Sequence, residues 1–456
     1  MLKFFLCLKY LRRKKIIILS IAAVAISCAL LISVGSLFAG FINALENTAN
    51  DFVGDVVLTP NGKIHDYDIL IEKLTQNSQI EAATPVLSTQ GLVHIGRGVV
   101  KGVSVWGIDP ATRAKVTKIG KSLLLQNDPN ITPQFNPQNS PDAITGFVSI
   151  GLLASPDPDT DKYDFDSAKA EFIGKNVVLT TGSMSASESG VKFSSKGNAA
   201  SNFKVKKIPF TISDIVFAGI YQMDTRYIYL PIDVLSQKLY PENKDQLMAN
   251  IIHIKLAADA NSDEAVAAIW SIWSEFANET LGWGSFAISQ ANIETAKQMQ
   301  AANAAELQKQ MNMLLMIFGI VSTAVVLLIF CIFYMIVTTK IKDIAIIKSF
   351  GASAFTVYSI FLYYGMLIGI FGAGFGFLLG YYIIKHINQI EEWIRLAFGL
   401  KLWDSSIYLF TKTPDQIDYS TVKWVLPAAV ISAIIGAIIP AISAARVKPV
   451  KILQYE

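Results

Sequence analysis

The chain has 456 residues, 52% of them hydrophobic and only 16% charged, with a formal net charge of +3. That balance excludes an ordinary soluble globular protein of this size, and nothing in it points to nucleic acid as a partner. Cys7, Cys28 and Cys331 lie in or next to apolar stretches, so neither a disulfide framework nor a cysteine-based metal site is expected in the polar part of the chain.

Residues 1–15 place Leu2, Phe5, Leu8 and Leu11 near one helical face and Lys3, Lys9 and Arg12 to Lys15 elsewhere, a pattern for an amphipathic segment on the inner membrane surface. Residues 16–45 form the first of four charge-free apolar stretches. The others are 311–339, 355–384 and 424–445, and each exceeds the ~20 residues that a helix needs to cross the hydrocarbon core. Ala25-Ile26-Ser27-Cys28 resembles a lipoprotein cleavage box. The apolar run continues past it to Leu45, which predicts a retained helix rather than a signal.

Between the first two spans, residues 46–284 have soluble composition and alternate short strand and helix patterns, which predicts an α+β domain. Strands are expected over 55–59, 91–95, 99–106, 176–180, 203–217, 226–230 and 251–256, with helices over 67–75, 232–239 and 262–276. Segments 127–166 and 181–201, rich in Pro, Asn, Asp, Ser and Gly, are expected to be loops. Residues 285–310, free of Gly and Pro and dense in helix formers, predict a stalk helix continuous with the second span as far as Phe318.

Lysine and arginine next to the spans set the orientation. The amino-terminal segment, the loop 340–354 and the tail 446–456 are basic and read as cytoplasmic. The loop 385–423 balances five basic against five acidic residues, and residues 46–310 carry 22 basic and 29 acidic, so both read as external. The chain is thus expected to be a multi-pass protein of a cytoplasmic membrane with both termini inside.

Gly120-Lys121-Ser122 ends like a P-loop, but Lys115 stands where the opening glycine is needed, so no nucleotide site is expected. His65, His94, His253 and His386 have no ligand spacing and read as surface or strand residues. Gly365, Gly369, Gly372, Gly376 and Gly380 form a small-residue face on the third span, repeated by Ala429, Ala433 and Ala437 on the fourth. They predict close helix packing, within the subunit or against a second copy. In the loop Lys340 to Ser353, Ile341, Ile344, Ala345 and Ile347 recur near helical spacing and Gly351 is placed to end a helix.

That loop, Lys340-Ile341-Lys342-Asp343-Ile344-Ala345-Ile346-Ile347-Lys348-Ser349-Phe350-Gly351-Ala352-Ser353, resembles the signature of FtsX-like permeases. So does the ending Pro440-Ala441-Ile442-Ser443-Ala444-Ala445-Arg446, with Pro449 and Leu453 to Glu456. Gly107-Ile108-Asp109-Pro110, together with Ile407-Tyr408-Leu409 and Pro414, is similar to the lipoprotein-releasing LolC/LolE branch. Asp343, Ser349-Phe350 and Gln454 depart mildly from the family pattern.

The resemblance implies a type VII ABC transporter permease of the MacB superfamily, with one plus three spans and an extracytoplasmic domain of porter and sabre type. It implies a homo- or heterodimer of permeases served by cytoplasmic ATPase subunits that bind ATP and Mg, and no cofactor or catalysis in this chain. Lys340, Lys342, Asp343, Ile344, Ile347, Lys348 and Gly351 would belong to the helix that couples to the ATPase. Lipoprotein release is the implied function. Alternatives are peptide or drug efflux of the MacB type, and FtsX-type signalling to a cell-wall hydrolase as periplasmic partner.

Overall fold

A computed structural model describes residues 15–96, 98, 100–128, 131–135, 144–157, 162–184, 203–242, 246–400 and 413–448. The amphipathic pattern before Lys15 and the motifs at 407–409 and beyond 448 lie outside the described residues. The chain divides into two compact units, Leu45–Ala302 and the helical remainder.

In the first unit the central element is β2 (Ile80–His94), a 15-residue strand that belongs to two sheets. Its first half pairs with β8 (Ile251–Leu256), which pairs with β1 (Val56–Thr59), which pairs with β9 (Asn292–Thr295). Its second half pairs on one side with β3 (Val100–Ile108) and on the other with β5 (Asn176–Met184). From β3 the ladder continues through β7 (Tyr227–Pro231), β4 (Thr145–Ser149) and β6 (Phe203–Val216) back to β5. The six strands therefore close into a barrel, which leaves no unpaired edge within the ring.

Strand alternation distributes side chains between two cores. Val103, Val105, Val148, Leu179, Ile208, Ile228 and Leu230 enter the larger one. Their chain neighbours Trp106, Phe147 and Tyr229 enter a second core with Phe52 and Val53. The helices α2 (Tyr67–Thr75) and α9 (Ser262–Glu279) complete the larger core through Leu70, Leu74, Ile269, Trp273 and Phe276.

Two loop assignments need correction. The 127–166 segment contains β4, whose residues Gly146 to Ser149 are buried. Only five residues long and flanked by Pro, Asn and Asp, it carries too little periodic signal, and its place in the ring comes from pairing with two strands distant in sequence. The 181–201 segment begins inside β5, which continues to Met184, and its residues 185–201 lie outside the described residues.

The stalk helix is also corrected. Residues 285–310 are not one helix: a short helix α10 (Ser285–Ser289) is followed by β9, and the long helix α11 (Ala296–Thr339) starts only at Ala296. Ile293 and Thr295 are β-branched and take places opposite Leu58 and Val56, so long-range pairing overrides the local helical preference.

The second unit contains four helices long and apolar enough to cross a membrane, over 18–44, 304–339, 354–385 and 419–445. They belong to α1 (Lys15–Val53), α11, α13 (Ala354–Lys385) and α15 (Tyr419–Ala445). Between them stand α12 (Ile341–Ser349) and, within the segment expected to be a loop at 385–423, α14 (Ile387–Phe398).

Candidate functional site

The motif expected to couple to an ATPase folds as α12, a helix of nine residues seated against the ends of the spans. Its end is fixed by backbone geometry: Gly351, at φ +93°, donates its N–H to the Lys348 carbonyl, and the Ala352 N–H reaches the Ile347 carbonyl. This pair of bonds is the Schellman arrangement, which glycine adopts without a Cβ penalty. Two residues on, the Ser353 hydroxyl accepts the Thr356 N–H at 3.1 Å and starts α13. A sharp stop and a capped start thus set the turn between the two helices.

One face of α12 is sealed inward. Ala345 is fully buried, and Ile344 packs with Val337 of α11, Val357 of α13 and Ala444 of α15. Lys348 Nζ donates to the carbonyls of Ala445 and Val447 at 2.8 and 2.7 Å, satisfying acceptors left over where α15 ends. Lys340 Nζ pairs with Asp343 at 2.6 Å. Both border an apolar cavity of about 80 Å³ lined by Ile336, Ile344, Ile347, Val357 and Phe361.

The opposite face is open: Lys342, Ile346, Ile347, Ser349 and Phe350 are exposed, Phe350 at 87%. The resemblance implied Ile344 and Ile347 as coupling residues; the structure buries Ile344 within the subunit and leaves Ile347 exposed together with Ile346 and Phe350, which were not singled out because apolar spacing finds the face that packs and not the face that remains free.

The glycines of α13 are divided between two neighbours. A Cβ on Gly365 or Gly369 would meet Ala437, Ala433 or Val430 of α15 at 2.7 to 3.2 Å. One on Gly372, Gly376 or Gly380 would meet Val24, Ala25, Cys28, Ala29 or Ile32 of α1 at 2.6 to 3.4 Å. The five share one face of α13, covered over its first part by α15 and over its later part by α1, both helices of the same chain. Across α1 and α11, Ser27 and Ser322 hydroxyls lie 3.0 Å apart, a polar link between spans.

In the other unit, Arg113 is a fully buried cation that sequence reasoning did not single out. It donates to the Phe52 carbonyl in the last turn of α1 at 2.8 Å, lies 3.2 Å from His253 Nδ1, and sits 4.9 Å from the Trp106 ring centroid. Burial lowers its pKa to about 10 and, with the Arg113 charge, holds His253 well below the ordinary imidazole value. Gly120-Lys121-Ser122 forms part of the four-residue helix α4 (Ile119–Ser122) and has no phosphate cradle. No group of three or more His, Cys, Asp or Glu that could hold a metal occurs among the described residues.

Comparison with known proteins adds three findings. Residues 315–449, which contain α12, α13, α14 and α15, match the family model "FtsX-like permease C-terminal". The chain is 24% identical over 98% of its length to the lipoprotein-releasing system transmembrane protein LolC of Neisseria meningitidis, covering 98% of that protein, and 29% identical to LolE of Haemophilus influenzae over 30% of this chain and 31% of that one. Among solved structures, the periplasmic region of MacB from Actinobacillus actinomycetemcomitans aligns with 54% of this chain and 90% of its own, at 13% identity and a TM-score of 0.30. Residues 315–449 thus match an FtsX-like permease domain built around α12, and along nearly its whole length the chain is similar to a lipoprotein-releasing system transmembrane protein.

Proposed function

We propose that this chain is the permease subunit of an ABC system in a bacterial cytoplasmic membrane, one that releases lipoproteins or exports related cargo. The reading is carried by α12, a helix locked to the ends of three spans through Ile344, Ala345 and Lys348 while its other face stays open. Such a helix can receive a push from a cytoplasmic partner and pass it to the spans as a unit. The partner is an ATPase that binds ATP and Mg, and Lys342, Ile346, Ile347 and Phe350 form the docking face. The permease works as a homo- or heterodimer, with both termini inside and residues 45–302 outside. It catalyses no covalent chemistry itself and converts ATP binding on its partner into movement of the external unit.

The full-length relationship to LolC supports lipoprotein as cargo. The test is a pair of substitutions on the open face, Ile346→Asp and Phe350→Asp, in the permease coexpressed with its ATPase. A carboxylate buried in an apolar contact costs several kcal/mol unless it is paired, so copurification of the ATPase is expected to fall at least tenfold with membrane insertion unchanged. Undiminished ATPase binding and turnover in the double variant would remove α12 from the coupling mechanism.

A further inference from the structure

The helix α14 follows α13 after a break at His386 and presents apolar side chains that none of the described residues covers. At ~100° per residue, Ile387, Ile390, Trp393, Ile394 and Ala397 share one side, and Asn388, Glu391, Glu392 and Arg395 share the other. Ile390 and Ile394 are half-buried against the chain. Trp393, Leu396, Phe398 and Leu400 are 58% to 74% exposed, and the Trp393 and Phe398 rings lie 6.2 Å apart.

The position of α14 says what covers this surface. Asn388, in its first turn, accepts from the Thr413 N–H and donates to the Thr413 carbonyl, both at 3.1 Å. The next residue, Pro414, lies against Gly40 of α1, and Asp418 a few residues later caps the start of α15 and donates its own N–H to Ser36 of α1. The first turn of α14 is therefore tied to the level at which α1, α13 and α15 end. An exposed stripe on α13, Phe371, Phe375, Leu378 and Tyr382, leads along the span towards the same end.

We infer that α14 lies along the membrane–water interface, with Trp393, Phe398 and Leu400 in the lipid, Leu396 at its border and Glu392 towards water, while Glu391 and Arg395 are half-buried with Ile390 and Ile394. A helix of this kind gains from burying its apolar side at headgroup depth, where tryptophan is favoured. It also hides an apolar patch that a water-exposed loop would leave open. Because α14 is joined to α13 and tied to the start of α15, it anchors the connection between these two spans in the plane of the membrane.

The test uses nitroxide labels in the full-length permease reconstituted in phosphatidylethanolamine–phosphatidylglycerol vesicles, with Cys7, Cys28 and Cys331 replaced by alanine and gel filtration to confirm folding. Labels are placed at Trp393→Cys, at Glu392→Cys and, as a reference within a span, at Leu378→Cys. Collision with molecular oxygen reports lipid, and collision with a water-soluble nickel chelate reports water. The ratio of oxygen to nickel collision rates is expected to be several-fold higher at 393 than at 392, approaching that at 378. Equal, nickel-dominated ratios at 392 and 393 would place the helix in water and overturn the inference. Shielding from both reagents at 393 would overturn it in favour of a protein partner such as a second copy of the chain. Nickel access at 378 would break the membrane assignment of α13 itself, a failure distinct from that of α14.

Discussion

Trp273 and Gly376 show how differently the two units cohere. Trp273 is completely buried in residues 45–302, with Phe276 and Trp283 ring centroids 6.2 and 5.7 Å away and its indole N–H donating to the Ile288 carbonyl. Gly376 contributes no side chain, and that absence lets α13 lie against the backbone of α1 at Ala25. In water, burying large apolar side chains is the dominant gain. Among lipid tails that gain disappears, and helices associate by close backbone approach and a few polar links such as Ser27 with Ser322.

Three experiments bear on this contrast. The largest effect is expected from Trp273→Ala, which removes the largest fully buried side chain and should cost about 3–5 kcal/mol. The melting temperature of the full-length protein in detergent should fall for the transition of this unit while the helical unit is retained. A single transition that moves as a whole would show that the units do not unfold independently.

Next comes a comparison within one helix. Gly376→Val would push a side chain into the Ala25 carbonyl and Cys28 at 2.7 Å, whereas Gly374→Val has nothing within 4 Å. The first is expected to destabilise by about 1–3 kcal/mol and to reduce the yield of folded protein, and the second to do neither. Equal behaviour of the two variants would refute close packing as the basis of cohesion in the spans.

The smallest effect is a pH dependence confined to the soluble unit. Burial and the Arg113 charge depress the folded-state pKa of His253 well below 6.5. Protons therefore bind the unfolded chain more tightly. The stability contribution is complete above the unfolded pKa and is lost as pH falls through 6.5, by about 1.4 kcal/mol per pH unit. His253→Gln should flatten the decline of melting temperature between about pH 6.5 and pH 5. Parallel declines in both proteins would show that another group is responsible.

The four spans were legible because a long charge-free run has few soluble alternatives, and α2, α8 (Ile232–Leu239) and β8 were legible to the residue from their periodicity. The candidate coupling helix was legible as a helix that ends at Gly351, since the stop depends on one local φ value. Which of its isoleucines remain free was not. Ile344 and Ile346 are chemically identical and two positions apart, and only packing against Val337, Val357 and Ala444 separates them. Arg113 was hidden for the same reason: a single arginine among ordinary residues carries no local mark of burial.

What the sequence determined by itself is everything that follows from hydropathy and short-range conformation: the number of spans, the soluble insertion between the first two, the glycine face and the turn at Gly351. The tertiary structure decided what depends on partners far along the chain. Closure of the six-stranded barrel joins β2 to β3 and β5, β4 fills a place in a segment of loop-like composition, and β9 interrupts a run of helix-forming residues because β1 offers it a ladder. A strand gains its stability across the sheet rather than along itself, so its existence is set by neighbours that local composition does not name.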